Sequence, residues 1–230
     1  MMEAIISIGM FMGTIAIFAM MRMVYRRYKA PFLIPVLTTS ICIVALLLSF
    51  NLSYDTYMKG GQYIDLLLGP AVVALAYPLY KQFDVLLKNM VPILSGVTVG
   101  AIIGMISGLL LAKMFGVDKQ LILTLLPKSV TTPVAMEVAD MLGGHASLTV
   151  VFVMIAGFTG VVIGPYVLKG LRVDSDLGQG IAFGSASHAI GTSKAFEYGL
   201  NTATVSSVAM TLCAIAVSIF APWIVWLFYG

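Results

Sequence analysis

Charge is scarce in these 230 residues. Only 10% are Asp, Glu, Lys or Arg, against about 25% in an average soluble domain. With 60% hydrophobic residues and a mean hydropathy of +1.02, too little polar side chain is left to cover a globular surface in water. Thirteen Lys and Arg against ten Asp and Glu give a formal net charge of +3, which cannot build the basic face that nucleic acid requires. The two cysteines, Cys42 and Cys213, sit inside apolar runs and suggest neither a disulfide framework nor a metal cluster. The two histidines, His145 and His188, lack metal-ligand spacing. The serine-rich segment has no nucleophile elbow, and no phosphate-binding glycine loop follows a strand. No enzyme activity, metal or cofactor is expected. The remaining class is an all-α polytopic membrane protein.

Long apolar runs are what the chain has instead. Residues 4–21 are long enough to cross a bilayer as a helix. Acidic Glu3 before them and basic residues after them argue against a secretory signal. Arg22, Arg26, Arg27 and Lys29 follow, and Lys81 and Lys88 mark a second loop on the same side. The positive-inside rule makes those loops cytoplasmic and puts the N-terminus outside. Further spans are expected over about 31–53, near 66–80 despite Pro70 and Pro78, over 91–115 and in the run 146–168. The loop from Tyr54 to Asp65, with Asp55 and Lys59, should lie outside. The expected total is about six to eight membrane segments in a bacterial plasma (inner) membrane. Residues 1–90 read as N-terminal spans serving as scaffold or dimerisation region, and 91–230 as the core. The small chain with spare spans suggests a homodimer.

Gly96, Gly100, Gly104 and Gly108 recur at every fourth residue, and Ala156, Gly160 and Gly164 do so later. On a helix each set forms a stripe free of side chains, suited to tight packing or to a sliding surface.

After each stripe the apolar pattern breaks. Residues 121–126 run into Pro127-Lys128-Ser129-Val130-Thr131-Thr132-Pro133, and residues 180–183 run into Gly184-Ser185-Ala186-Ser187-His188-Ala189-Ile190-Gly191-Thr192-Ser193. Each stretch, near 119–145 and 176–200, reads as a short helix, an unwound polar linker and a second short helix, with two prolines breaking the first and Gly180, Gly184 and Gly191 loosening the second. Unwound backbone at membrane depth is tolerated only where protein buries it or it lines a cavity. At an offset of sixty residues, Thr132-x-x-Ala135-Met136-Glu137 falls on Thr192-x-x-Ala195-Phe196-Glu197, which suggests an internal repeat. If the first stretch crosses the bilayer, Lys169 and Arg172 fall outside. If it is re-entrant they fall inside, as the positive-inside rule prefers, and the two units are related by inverted topology; that arrangement is the one expected.

Thr131 or Thr132, and Thr192 or Ser193, are plausible N-caps whose helix ends would favour a small anion such as a carboxylate. Lys128, Lys194 and His188 could add positive charge, and Ser129, Ser185 and Ser187 hydroxyls; Gly191, in the second linker, belongs to the same candidate site. Glu137, Glu197 and, in second rank, Asp140 are candidates for binding a coupling proton or sodium ion. The bland alternative is that Lys128 and Lys194 pair with Glu137 and Glu197 or snorkel to the interface. His188 is either a titrating group or a hydrogen-bonded structural one, and His145 belongs to a solvated turn.

The stretches 126–133 and 184–192 resemble the hallmark of the LrgB/CidB family, and the likeness extends from about residue 30 onward. The resemblance implies bacterial antiholin-like proteins associated with murein hydrolase regulation and programmed cell death. It also implies kinship with the C-terminal half of the plastid glycolate/glycerate translocator of plants. It further implies a small LrgA- or CidA-like membrane partner and movement of small carboxylates such as pyruvate. Two functions are therefore expected as rivals. One is a secondary transporter of small monocarboxylates (glycolate, glycerate or pyruvate) coupled to H+ or Na+. The alternative is a holin/antiholin-like pore or regulator of murein hydrolase export and lysis. A purely structural partner subunit is a third.

Overall fold

An apolar run in an apolar solvent can satisfy its backbone N–H and C=O groups only along its own chain or in a closed barrel. The computed structural model describes residues 2–28, 33, 35–74 and 76–230, and these residues form helices joined by turns. The helices are α1 (Met2–Tyr28), α2 (Pro35–Ser49), α3 (Tyr54–Asp65), α4 (Leu68–Ala74), α5 (Ala76–Lys81), α6 (Phe83–Lys88), α7 (Met90–Met114), α8 (Lys119–Leu125), α9 (Thr132–Met141), α10 (Ala146–Gly170), α11 (Asp176–Ala195) and α12 (Leu200–Tyr229). Four helices are long and apolar enough to cross a bilayer, over Ile6–Tyr28, Met90–Met114, Ala146–Gly170 and Leu200–Tyr229. The chain is a multi-pass all-α membrane protein. It divides into two compact units, Met1–Ala71 and Val72–Gly230.

In the first unit α1 packs on α2 and α3. The expected loop 54–65 is helical: Ser53 caps α3 by accepting from the Thr56 N–H. Its charged residues and its Gly60-Gly61 pair imitate a loop, but Gly60 is required by packing. A Cβ there would stand 2.4 Å from the Ser7 carbonyl oxygen on α1. The expected span 31–53 contains a helix of 15 residues, about 22 Å long against a hydrocarbon core of about 30 Å. Lys29 lies outside the described residues.

Lys59 on α3 donates to Glu3 on α1 at 2.9 Å. The Lys59 hydrogen bond and charge hold the Glu3 carboxyl below the usual carboxylate range. A depressed carboxylate contributes above its ordinary pKa, and its contribution is lost as pH falls through the lowered value. In Lys59→Ala the Glu3 carboxyl resonance, followed by carbon-13 NMR, is expected to titrate at higher pH than in the parent.

The second unit holds three of these four long spans. The expected span at 66–80 is not one regular helix of membrane length. Helix covers Leu68–Ala74 and Ala76–Lys81, each short, with residue 75 outside the described residues. From α7 onward the chain is ordered by close contacts. Ile93, Val97, Ala101, Met105 and Leu109 form the buried face of α7. They repeat every fourth residue, so they lie along one side of the helix. This face joins a core with Val134, Val138, Val153, Val208 and Val217. Gly116 turns the chain with φ 68°, and Asp118 caps α8 by accepting from the Leu121 N–H at 3.1 Å.

α8 then leads the chain back along α7, placing Lys128 beside Gly108 and Ser129 beside Gly104. Thr131 and Pro133 start α9, which returns the chain to Thr124. There the His145 N–H donates to Thr124 Oγ1 at 2.9 Å, and Thr149 Oγ1 donates to the Thr124 carbonyl at 3.0 Å. α10 starts from this knot. α11 runs antiparallel to α10, with Phe183 against Gly164, Ser187 against Gly160 and His188 against Gly157.

α11 and α12 run side by side in the same direction. Asp176 accepts from Thr202 Oγ1 at 2.9 Å, Gly180 abuts Val205, Gly184 abuts Ser206 and Ala209, and the Ser185 carbonyl accepts from Cys213 Sγ at 3.5 Å. Glycine is needed at position 184, because a Cβ would stand 2.3 Å from the Ser206 carbonyl oxygen and 2.9 Å from the Met210 nitrogen. Those glycines were expected to loosen the segment into a linker. They serve close backbone contact instead, and residues 176–187 remain helical.

Candidate functional site

The first break follows the sequence expectation and the second does not. α8 ends at Leu125 and α9 starts at Thr132, because Pro127 removes a backbone donor within the interval and Pro133, in the first turn of α9, cannot continue a helix running in from it. Thr131 occupies the N-cap position with extended backbone, but its side chain makes no cap bond. Its Oγ1 is buried without a partner among the described residues. Thr132 is the first residue of α9, and Pro133 sits in its first turn.

The second break is concentrated at one residue. His188 has φ 43° and ψ −135° in the middle of α11, a backbone region that glycine tolerates far better than a residue with a Cβ. Beyond it the chain doubles back. A Cβ on Gly191 would stand 2.4 Å from the Phe183 carbonyl oxygen, and the Phe183 and Tyr198 rings lie 5.2 Å apart. Thr192 and Ser193 do not cap a helix. Their hydroxyls donate back to the His188 and Ala189 carbonyls, each at 3.0 Å, and Thr192 also meets Ser206 at 2.9 Å.

The buried His188 ring holds this corner, with Nε2 3.0 Å from the Val153 carbonyl oxygen on α10. Alanine at 188 removes that bond and keeps the strain, while glycine removes both. His188→Ala is therefore expected to be less stable than His188→Gly by about 1–3 kcal/mol, measured by thermal unfolding in detergent.

The first break and the helical part of α11 meet on the α7 glycine stripe. Ile181 lies against Gly96 and Ser185 against Gly100, while Ser129 lies against Gly104 and Lys128 against Gly108. Gly100 and Gly104 are about 6 Å apart along the helix, so the Ser129 hydroxyl of the first break is about one turn from that of Ser185 on α11. Lys128 Nζ donates to the Gly104 carbonyl at 2.9 Å. Among the described residues no carboxylate pairs with this half-buried ammonium group. A second stripe on α10 carries the other break, but its members are Gly157, Gly160 and Gly164. Gly157 takes the role expected of Ala156.

Chemically, this arrangement offers an intramembrane cation with spare donors beside the Ser129 hydroxyl, with Ser185, whose own hydroxyl donates to the Ile181 carbonyl, one turn away; Ser187 and His188 of α11 face α10. Such a set suits a small anion. Lys194, Glu197, Ser193 and Asp140 lie elsewhere. Lys194 forms an ion pair with the exposed Glu197 three residues on, and Ser193 and Asp140 are exposed. Glu137 lines a groove of about 510 Å³ with Val134, Val138, Thr211, Ile215 and Ser218. No group of three or more His, Cys, Asp or Glu able to hold a metal occurs among the described residues. Sequence reasoning missed the Thr124 knot and the role of Gly157. A lone threonine in an apolar run carries no signal, but the 157–160–164 spacing could have found the glycine.

The chain is 59% identical over 229 residues, the whole of both chains, to the uncharacterized protein YxaC of Bacillus subtilis. It is 38% identical over 220 residues, 96% of each chain, to holin-like protein CidB of Staphylococcus aureus. With holin-like protein CidB of Staphylococcus epidermidis it shares 36% over 229 residues, again the whole of both. No solved structure matches. Residues 14–227 match the LrgB-like family, and the chain belongs to that family.

Proposed function

We propose that this chain works in the membrane as a holin-like protein, a pore or a regulator of one. The observation that carries this reading is the end-to-end likeness to CidB proteins named holin-like. Their names favour it over monocarboxylate transport. The same relatives come from Bacillus and Staphylococcus, in keeping with a bacterial plasma membrane. The basic residues before α7, Lys81 and Lys88, support a cytoplasmic face there. A homodimer and a small LrgA- or CidA-like partner belong to the same reading.

A second reading, a carrier for a small monocarboxylate such as pyruvate or glycolate coupled to H+ or Na+, is favoured by a different observation. Lys128, Ser129 and Ser185 converge on the α7 stripe, and a simple lesion has no use for so costly a polar centre. Supporting it further is the pairing of α7 with the α8–α9 break and of α10 with the α11 break. Each break runs antiparallel to its own striped helix and then turns back, as units of an inverted repeat would. In this reading Glu137, Glu197 or Asp140 would take the coupling ion.

Reconstitution of the full chain into liposomes separates the two. Release of an entrapped dye without saturation by any solute is the holin-like result. Retention of dye with saturable uptake of labelled pyruvate or glycolate overturns that result and supports the carrier.

A further inference from the structure

The corner where α7 ends, α8 begins and α12 ends contains a charge arrangement that neither function uses. Lys113, in the last turn of α7, and Lys119, the first residue of α8, both reach the ring of Tyr229 near the end of α12. Their Nζ atoms lie 5.1 and 5.0 Å from its centroid. The gap between the two ammonium groups is therefore at most about twice that reach. Both lysines are exposed, and neither forms an ion pair with a described carboxylate. Asp118, next in sequence to Lys119, is engaged as the cap of α8 through the Leu121 N–H. A ring quadrupole holds the two cations without neutralising them, so their net charge stays available.

Their surroundings are apolar and equally open. Met114 and Phe115 are each 80% exposed, and Trp226 and Leu227 are 67% and 69% exposed. These residues lie at the ends of two candidate membrane spans, Met90–Met114 and Leu200–Tyr229, where an interfacial tryptophan is usual. The lysines sit at the opposite end of α7 from Lys81 and Lys88. They run against the charge asymmetry of the rest of the chain, so topology does not account for them.

We propose that this corner binds the headgroup of an anionic phospholipid. Lys113 and Lys119 contact the phosphate, Tyr229 holds the two ammonium groups in place, and the acyl chains lie over Met114, Phe115 and Leu227. Neutral lipid would gain only the apolar part of this contact. Inorganic phosphate would gain only the charged part.

The test uses the full chain in detergent and follows thermal unfolding and equilibrium binding. The probes are phosphatidylglycerol, phosphatidylcholine and inorganic phosphate. Phosphatidylglycerol is expected to bind and to raise the unfolding temperature. The variant Lys113→Ala with Lys119→Ala should weaken that binding roughly twenty-five-fold, taking each lysine's contribution near an anionic surface as about fivefold. The variant Lys81→Ala with Lys88→Ala removes the same charge from the other end and should leave binding unchanged. Tyr229→Phe keeps the ring and should bind like the parent. Equal effects of the two double variants would reduce the site to bulk electrostatics and overturn the proposal. So would inorganic phosphate stabilising as well as the lipid, or phosphatidylcholine matching phosphatidylglycerol.

Discussion

Alanine in place of Gly160 is expected to remove most of the folded protein. On α10 the Cβ it adds would fall 1.6 Å from Ser187 Oγ and 2.7 Å from Ser187 Cβ, closer than any side chain accommodates. Ser187 is buried to 1% exposure on a helix packed against α7, α10 and α12, so it has no free side to move toward. Overpacking of this kind costs about 3 kcal/mol or more. The clash is nevertheless local to one side chain. The next atom of that residue, Ser187 Cα, stands 3.8 Å from the added Cβ, an ordinary van der Waals contact. The double variant Gly160→Ala with Ser187→Gly should therefore recover most of the lost stability. Thermal unfolding and size-exclusion profiles in detergent would check this. A double variant no better than the single one would mean that α10 and α11 are not in contact along this stripe.

The second large effect concerns Lys128, where function and stability should move in opposite directions. A lysine in the middle of a membrane protein costs free energy that a methionine of similar shape does not, about 3 kcal/mol at the bilayer centre on insertion scales. Its Gly104 bond at 2.9 Å recovers part of that cost, and the Gly104 carbonyl still has its helical partner once the lysine is gone. Lys128→Met is expected to unfold at a higher temperature than the parent. Any flux of small anions through the reconstituted protein should fall by roughly tenfold to a hundredfold, the value of a hydrogen bond to a charged group. A stabilised variant with unchanged flux would assign Lys128 to neither pathway nor pore. A destabilised variant would make it a structural strut.

Where the sequence could be read and where it could not has a physical pattern. α7 and α10 are legible because a helix of 25 residues in strongly apolar sequence has few competitors. The first break is legible because proline acts on the backbone through its own covalent structure, whatever surrounds it. The second break was placed in the right segment with the wrong form. Gly180 and Gly184 look the same whether they unwind a helix or admit the backbone of another, and only the position of α12 decides. The residue that does break α11 is a histidine, whose type says nothing about φ. Helix α3 was missed for a related reason, since Gly60 is small to clear Ser7 on α1 and no local signal announces that neighbour. Lys128, Ser129 and His188 were recognised as exceptional in apolar surroundings. Their division between two striped helices could not be seen in one dimension.

The Asp176 carboxylate accepts from Thr202 Oγ1 at 2.9 Å and from the Asn201 amide at 3.3 Å, and the side chain of Ser175 caps the same end of α11. The His188 corner is fastened as well, by its ring to Val153 on α10 and through Thr192, which joins the His188 carbonyl to Ser206 on α12. Between these two ends Gly180 and Gly184 seat α11 directly on the backbone of α12. Any displacement of residues 176–187 must therefore carry the first half of α12 with it, so the two helices act as one piece.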